Sequence, residues 1–181
     1  MAASVARMTA NAHILGKDLK GIRHMPSTRN TLPDNTRKVM IELLNARLLD
    51  TISMRMALKQ AHWNVKGPSF IALHEMFDQM QGRFAQFVDD IAERSVALGG
   101  VVNGTVEGVA EAAKLEPYPA GIIAQKEHLE ALAARFAAFG QLAREAIDIA
   151  DEAGDKDTAD LFTAVSRQTD MDLWFVEAHL Q

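Results

Sequence analysis

The sequence predicts an all-α protein, a four-helix bundle in which an extended crossover, carrying a short extra helix, joins the second and third long helices. Three observations carry that prediction. Ile41, Leu44, Leu48 and Ile52 recur at helical spacing and form one apolar stripe. Glycine and proline punctuate the chain at Gly67-Pro68, Gly99-Gly100 and Gly154, with long helix-compatible segments between them. The connector over residues 101–118, which contains Gly104, Gly108 and Pro117, is far longer than a tight turn needs.

Residues 1–32 mix Ala, Asn, Thr, Gly, Ser and basic side chains without sustained periodicity and end in Leu32-Pro33. They read as a flexible basic arm ahead of a bundle domain over residues 33–181. Asp34 or Asn35 is placed to cap the first long helix, which runs to about Asn64. Gly67-Pro68 then makes a helical hairpin, and a second helix runs from a cap at Ser69 to Leu98, where Gly99-Gly100 stops it. The Ala-rich stretch from Val106 to Lys114 forms the short helix of the crossover. A third long helix starts near Pro119 and ends before Gly154, and a fourth runs from about Asp157 to His179. Met40, Met54, Met56, Met76 and Met80 read as core packing.

A chain of 181 residues with 48% hydrophobic content suits one domain that buries its core without staples. With no cysteine, disulfides and thiolate metal sites are excluded, so any metal is held by imidazole and carboxylate, a donor set suited to iron, manganese or zinc. No apolar run approaches the roughly 20 residues of a membrane span, and the N-terminus lacks the apolar core of a secretory signal, so a cytoplasmic protein with no membrane partner is expected. The net charge of -5 argues against wholesale nucleic-acid binding. It is unevenly spread: the first thirty residues hold Arg7, Lys17, Lys20, Arg23 and Arg29 against Asp18, five minus one or +4, leaving -9 for the remainder.

His62, His74, Asp78, Asp89 and Glu93 are the metal-competent side chains whose spacing points to chemistry. On a helix, His74 and Asp78 share a face, as do Asp89 and Glu93, and the two pairs share it with each other. The eleven positions from Asp78 to Asp89 amount to about 16 Å along the axis. No ion or ion pair spans that gap, so a complete site needs a second copy laid antiparallel, and two-fold symmetry then builds two equal sites per dimer. The hairpin brings His62 near His74. Each site is expected to combine His62, His74 and Asp78 of one chain with Asp89 and Glu93 of its partner. Taken singly, each histidine is more often a packed side chain and each acidic pair a solvated face. The flanking apolar residues Leu73, Phe77, Phe87 and Ile91 predict instead that the shared face is partly buried, where carboxylates are costly unless paired or metal-bound.

Three ordered motifs carry a family resemblance: His62-Trp63-Asn64-Val65-Lys66-Gly67-Pro68, Leu73-His74-Glu75-Met76-Phe77-Asp78, and Asp89-Asp90-Ile91-Ala92-Glu93-Arg94 followed by Leu98-Gly99-Gly100. With the ending Leu173-Trp174-Phe175-Val176-Glu177, they make the region from Asn35 to the C-terminus resemble Dps, the DNA-binding proteins from starved cells, or mini-ferritins. The resemblance implies a ferritin-like bundle and a two-iron ferroxidase centre at a dimer interface, with zinc or manganese as possible substitutes. It also implies a hollow homo-dodecamer that oxidises ferrous iron, preferentially with hydrogen peroxide, and stores ferric mineral. Glu93 is the candidate bridging carboxylate. Trp63, directly after His62, is placed to intercept stray oxidising equivalents, although an aromatic packed at an interface is an equal reading.

The family's acidic three-fold pores correspond here to Asp155, Asp157 and Asp160, near the start of the last helix. Carboxylates favoured at a helix N-terminus are the plainer alternative. A DNA-compacting, nucleoid-associated protein is a second functional class, and a structural or adhesin-like shell without enzymatic role is a third. Twelve copies of the basic arm would make a multivalent polycation that contacts phosphates without reading sequence. Deleting residues 1–30 is expected to weaken low-salt binding of plasmid DNA, read by gel shift, by at least about tenfold. Unchanged affinity would exclude the arm as the DNA contact.

Overall fold

The computed structural model describes residues 27–181, so Arg7, Lys17, Lys20 and Arg23 of the basic arm lie outside the described residues. Five helices follow in order: α1 (Asp34–Asn64), α2 (Phe70–Ala97), α3 (Val106–Ala112), α4 (Gln125–Glu152) and α5 (Lys156–Glu177). The pairs α1–α2 and α4–α5 are antiparallel hairpins that pack into a four-helix bundle, and α3 lies within the crossover against α1. Among the described residues there is no strand, only an isolated bridge between Lys66 and Ala124.

The helix ends depart from the sequence expectations in instructive ways. Asp34 is the first residue of α1, after Pro33 at the cap position, and its carboxylate binds Arg37 at 2.8 Å instead of capping. Ser69 does precede α2, but its hydroxyl makes no cap bond; its N–H donates to the Gln125 side chain at 3.1 Å. Helix α4 begins at Gln125, well beyond Pro119. The chain ahead of it is committed to the α1–α2 turn, with Lys66 N–H donating to the Ile123 carbonyl at 2.9 Å and Gln125 N–H to the Lys66 carbonyl at 3.0 Å. Asp155 caps α5, its side chain accepting from Thr158 N–H at 3.1 Å.

Two hydrophobic clusters fill the bundle. One gathers Leu58, Ala61, Leu73, Phe77, Phe84 and Phe136, and the other centres on Met40, Leu44, Leu48, Ile91 and Phe162. Phe84 meets Phe136 edge-on at 6.0 Å and Phe139 at 5.2 Å between ring centroids, packing that fixes α2 against α4. Met40, Met54 and Met80 are fully buried, but Met56 is 51% exposed, because it faces outward from α1.

The buried carboxylates are paired. Asp50 lies 2.9 Å from the Arg47 guanidinium and accepts the Lys114 N–H, which pins the end of the crossover helix to α1. Arg83 binds Asp172 at 2.6 Å, joining α2 to α5. Arg94 reaches both Asp155 oxygens at 2.7 and 2.9 Å and the Thr158 hydroxyl at 3.0 Å. Burial dominates at Asp50 and Asp172 and raises both carboxyls above the ordinary range despite their arginines, so their ionisation at neutral pH costs stability. At Asp155 burial also pushes upward, but the Thr158 hydroxyl and N–H and the Arg94 guanidinium together outweigh it and hold the carboxyl below the ordinary range. A folded pKa below the unfolded one gives stability that is complete above the unfolded value of 3.8 and lost as pH falls through the lower folded value. Asp155→Ala removes a cap and orphans Arg94, and is expected to lower unfolding free energy in denaturant titrations by about 2–4 kcal/mol at pH 7. A loss under about 0.5 kcal/mol would contradict this account.

Candidate metal centre

Two histidines face each other across the α1–α2 hairpin, His62 in the last turn of α1 and His74 near the start of α2. The turn depends on Gly67, whose φ of +151° is glycine territory and whose missing side chain leaves room for Gln125. Reciprocal hydrogen bonds then lock the rings. His62 Nδ1 donates to the His74 carbonyl at 2.8 Å and His74 Nδ1 donates to the His62 carbonyl at 2.9 Å, with the rings stacked at 3.7 Å between centroids. Holding both Nδ1 protons on backbone oxygens leaves each Nε2 with a lone pair, the tautomer that a metal ligand needs. The neighbours Ala61 and Leu73 are fully buried, so core packing fixes the backbone behind each ring.

Asp78, one turn beyond His74, completes the wall of an open pocket of about 410 Å³ lined also by Glu75 and Gln79. Its carboxylate is held by Lys59, and the Lys59 hydrogen bond keeps the carboxyl below its ordinary range. Lys59 was not singled out by the sequence reading. It lies one turn before His62 on the same face of α1, and that spacing was the available signal.

The five expected ligands do not assemble in one chain. His62, His74 and Asp78 share the pocket, whereas Asp89 and Glu93 stand further along α2, and among the described residues no three His, Asp or Glu side chains converge to hold an ion. Asp78, Asp89 and Glu93 are exposed, so the face expected to be partly buried is open within the single chain; the apolar neighbours Leu73, Phe77 and Ile91 point to the core instead. Asp89 and Glu93 form no ion pair among the described residues. The chemistry of the donors suits a hard or borderline cation such as iron: imidazole Nε2 atoms on one side, unpaired carboxylates on the other. Trp63 is 60% exposed beside His62.

Of the expected pore residues, Asp155 is 2% exposed and bound by Arg94 and Thr158, and within the single chain it serves as the cap of α5. Asp157, 3.8 Å from Arg94, and Asp160 are both exposed. Arg29, the one basic arm residue within the described part, is exposed as well.

The family model of the ferritin-like domain matches residues 41–181. A curated relative from Agrobacterium fabrum, the DNA protection during starvation protein, is 46% identical over 154 residues, covering 85% of this chain and 95% of the relative. The chain belongs to the Dps family of ferritin-like proteins. Among solved structures, DpsC from Streptomyces coelicolor matches with a TM-score of 0.84 at 28% identity, covering 91% of this chain and 96% of its own. Dps from Mycobacterium smegmatis matches with a TM-score of 0.81, also at 28% identity, over 86% and 94% of the two chains. A further curated relative, the fine tangled pili major subunit of Haemophilus ducreyi, is 31% identical over 97% of this chain and 92% of its own.

In this Dps chain the Lys59 ammonium stands where a cation would approach Asp78. Lys59→Met is therefore expected to tighten binding of a divalent probe such as cobalt by about two- to fivefold in titration calorimetry, in line with the worth of an exposed ion pair. Weaker or unchanged binding would show that Lys59 does not compete with the metal.

Proposed function

We propose that two copies of the chain pack their α2 helices antiparallel and build two equal centres that oxidise ferrous iron. The observation that carries this reading is a mirror register on the outer face of α2. Ile71, His74, Asp78 and Gly82 stand as far before the midpoint between Arg83 and Phe84 as Val96, Glu93, Asp89 and Ala85 stand after it. All eight fall within about 100° of one another around the helix. A two-fold axis through that midpoint sets His74 opposite the partner's Glu93 and Asp78 opposite the partner's Asp89. It also sets exposed Ile71, 61% accessible, opposite Val96, 54% accessible, with small Gly82 and Ala85 at the crossing point, where backbones must approach closely.

Each centre would then hold His62, His74 and Asp78 from one chain and Asp89 and Glu93 from the other, with Glu93 as the bridge between two ferrous ions. Iron is the substrate. Two ferrous ions each give one electron to hydrogen peroxide, the O–O bond breaks, and two protons complete two waters, so no hydroxyl radical is released. The histidines, fixed through Nδ1, present Nε2 without rearrangement. Zinc and manganese suit the same donors as substitutes.

The finer assembly belongs to this proposal as well: a hollow homo-dodecamer of such dimers that stores ferric mineral, entered by a path lined by Asp157 and Asp160, with Asp155 withdrawn from it. Acidic rings concentrate cations. The cytoplasm is the proposed setting, where removing iron and peroxide together would protect DNA, the role for which the Agrobacterium relative is named. Non-specific DNA binding through the arm, and hence nucleoid association, is favoured by its +4 charge.

Complementation tests the shared site. His62→Ala and Asp89→Ala chains are each expected to lose rapid ferrous oxidation by peroxide. Dissociated and reassembled at equal amounts, they should recover about a quarter of wild-type activity, because half the dimers are mixed and each mixed dimer has one intact centre. No recovery in a correctly assembled mixture would show that the site is not shared, and no iron uptake by the wild type would favour a structural shell.

A further inference from the structure

The chain has one tyrosine, and the iron chemistry above does not use it. Tyr118 lies in the crossover with its phenol half-buried, and its hydroxyl meets His128 Nδ1 at 2.7 Å. His128 is fully buried in the first turn of α4, and its Nε2 has no hydrogen-bond partner among the described residues. The two rings are nearly coplanar, 16° apart. Arg135 stands 6.0 Å from the centre of the phenol ring and is itself tied to the Glu116 carbonyl and to Ser53 at 2.9 Å. The ring packs on the core cluster that contains Ala61 and Leu73, the residues preceding His62 and His74. The same cluster thus backs both the phenol and the turns that carry the two histidines. The start of α4 is fastened by backbone hydrogen bonds to Lys66, so hairpin and pair move as one body.

We infer that Tyr118 and His128 form a proton-coupled redox pair that supplies the second electron when hydrogen peroxide meets a centre holding a single ferrous ion. The inference rests on the proposed iron oxidation. Peroxide needs two electrons and two protons to become two waters, and a lone ferrous ion provides one electron. Tyr118 gives the other while its phenolic proton passes to His128 Nδ1, leaving a neutral tyrosyl radical, an imidazolium, a ferric ion and two waters, with the water protons drawn from solvent. A second ferrous ion then returns one electron to the radical, His128 returns the proton, and the pair is restored.

The surroundings favour this coupled step over separate ones. Burial pushes the Tyr118 phenol up, so it cannot lose its proton first. Burial also pushes His128 down, so the base is neutral and ready, and its imidazolium is short-lived. Arg135 beside the ring opposes loss of electron density, which makes the radical a strong oxidant that ferrous iron readily quenches. The half-buried phenol on a fully buried histidine is also better shielded from solvent than the exposed Trp63.

The test is freeze-quench EPR of assembled wild-type protein carrying about one ferrous ion per centre and mixed with peroxide, with ferrous oxidation followed optically in the same samples. The expected result is a transient tyrosyl signal that decays on adding more ferrous iron; with one tyrosine in the sequence, its assignment is unambiguous. His128→Gln keeps an acceptor for the hydroxyl but removes the base, and should cut the radical yield about tenfold. Iron oxidation without a tyrosyl signal, or with a tryptophanyl signal in its place, overturns this inference and leaves the proposed function standing. Absence of iron oxidation overturns the proposed function and this inference together. An undiminished signal in His128→Gln overturns the proton-coupled pair.

Discussion

A helix is a stiff rod, and that stiffness governs everything proposed for this chain. Asp78 and Asp89 sit on one face of α2 about 16 Å apart, and no rotamer of a short carboxylate closes such a gap. The donors on α2 can meet only donors from another helix. In the described structure no neighbouring helix supplies them: α1 contributes His62 alone to the pocket, and the rest of the outer face of α2 is open. The proposed function is thereby tied to association, since on that reading a chain that leaves this face uncovered holds at most half a site.

The half that each chain does hold is built before any partner arrives. The reciprocal Nδ1 bonds fix ring position and tautomer together, Gly67 allows the reversal that makes them possible, and Ile123, just ahead of α4, and Gln125, its first residue, clamp that reversal. Ordering this much in the monomer means that dimerisation need not also immobilise the imidazoles, and the ordering entropy is met by folding instead of by metal binding. Arg94 serves the other half, anchoring the end of α2 that bears Glu93 to the cap of α5. The carboxylates thus stand on an element held at both ends.

The sequence made the architecture readable because helix periodicity, glycine stops and a long connector are local signals, and all four long helices and the short one fall where those signals are. Helix ends were less legible. Pro119 is a good helix start in isolation, but pairing of residues 123–125 with Lys66, sixty residues away in the chain, delays α4 to Gln125. The grouping of His62, His74 and Asp78 in one pocket was legible for the same reason as the helices, whereas the partner of each carboxylate was not. Nothing local says that Asp155 is consumed by Arg94, or that Lys59 reaches across to Asp78; those are facts of packing between helices. Tyr118 and His128 were missed because their ten-residue separation crosses a loop and has no period to betray it.

The charges sort by partner. Asp50, Asp155 and Asp172 are buried and each is met by an arginine of the same chain, within α1 at Asp50 and between α2 and α5 at the other two, so they are committed to contacts inside the chain. Asp89 and Glu93 are exposed and have no cation among the described residues, which leaves them open to whatever approaches. Asp78 falls between, holding the ammonium of a partly exposed lysine whose long stem can swing away at little cost. A face that gathers three carboxylates on one helix pays repulsion for doing so, and among the described residues only a flexible lysine relieves it. An arriving divalent cation would relieve it better, because it can bond carboxylates from both chains at once and displace a monovalent group that touches only one.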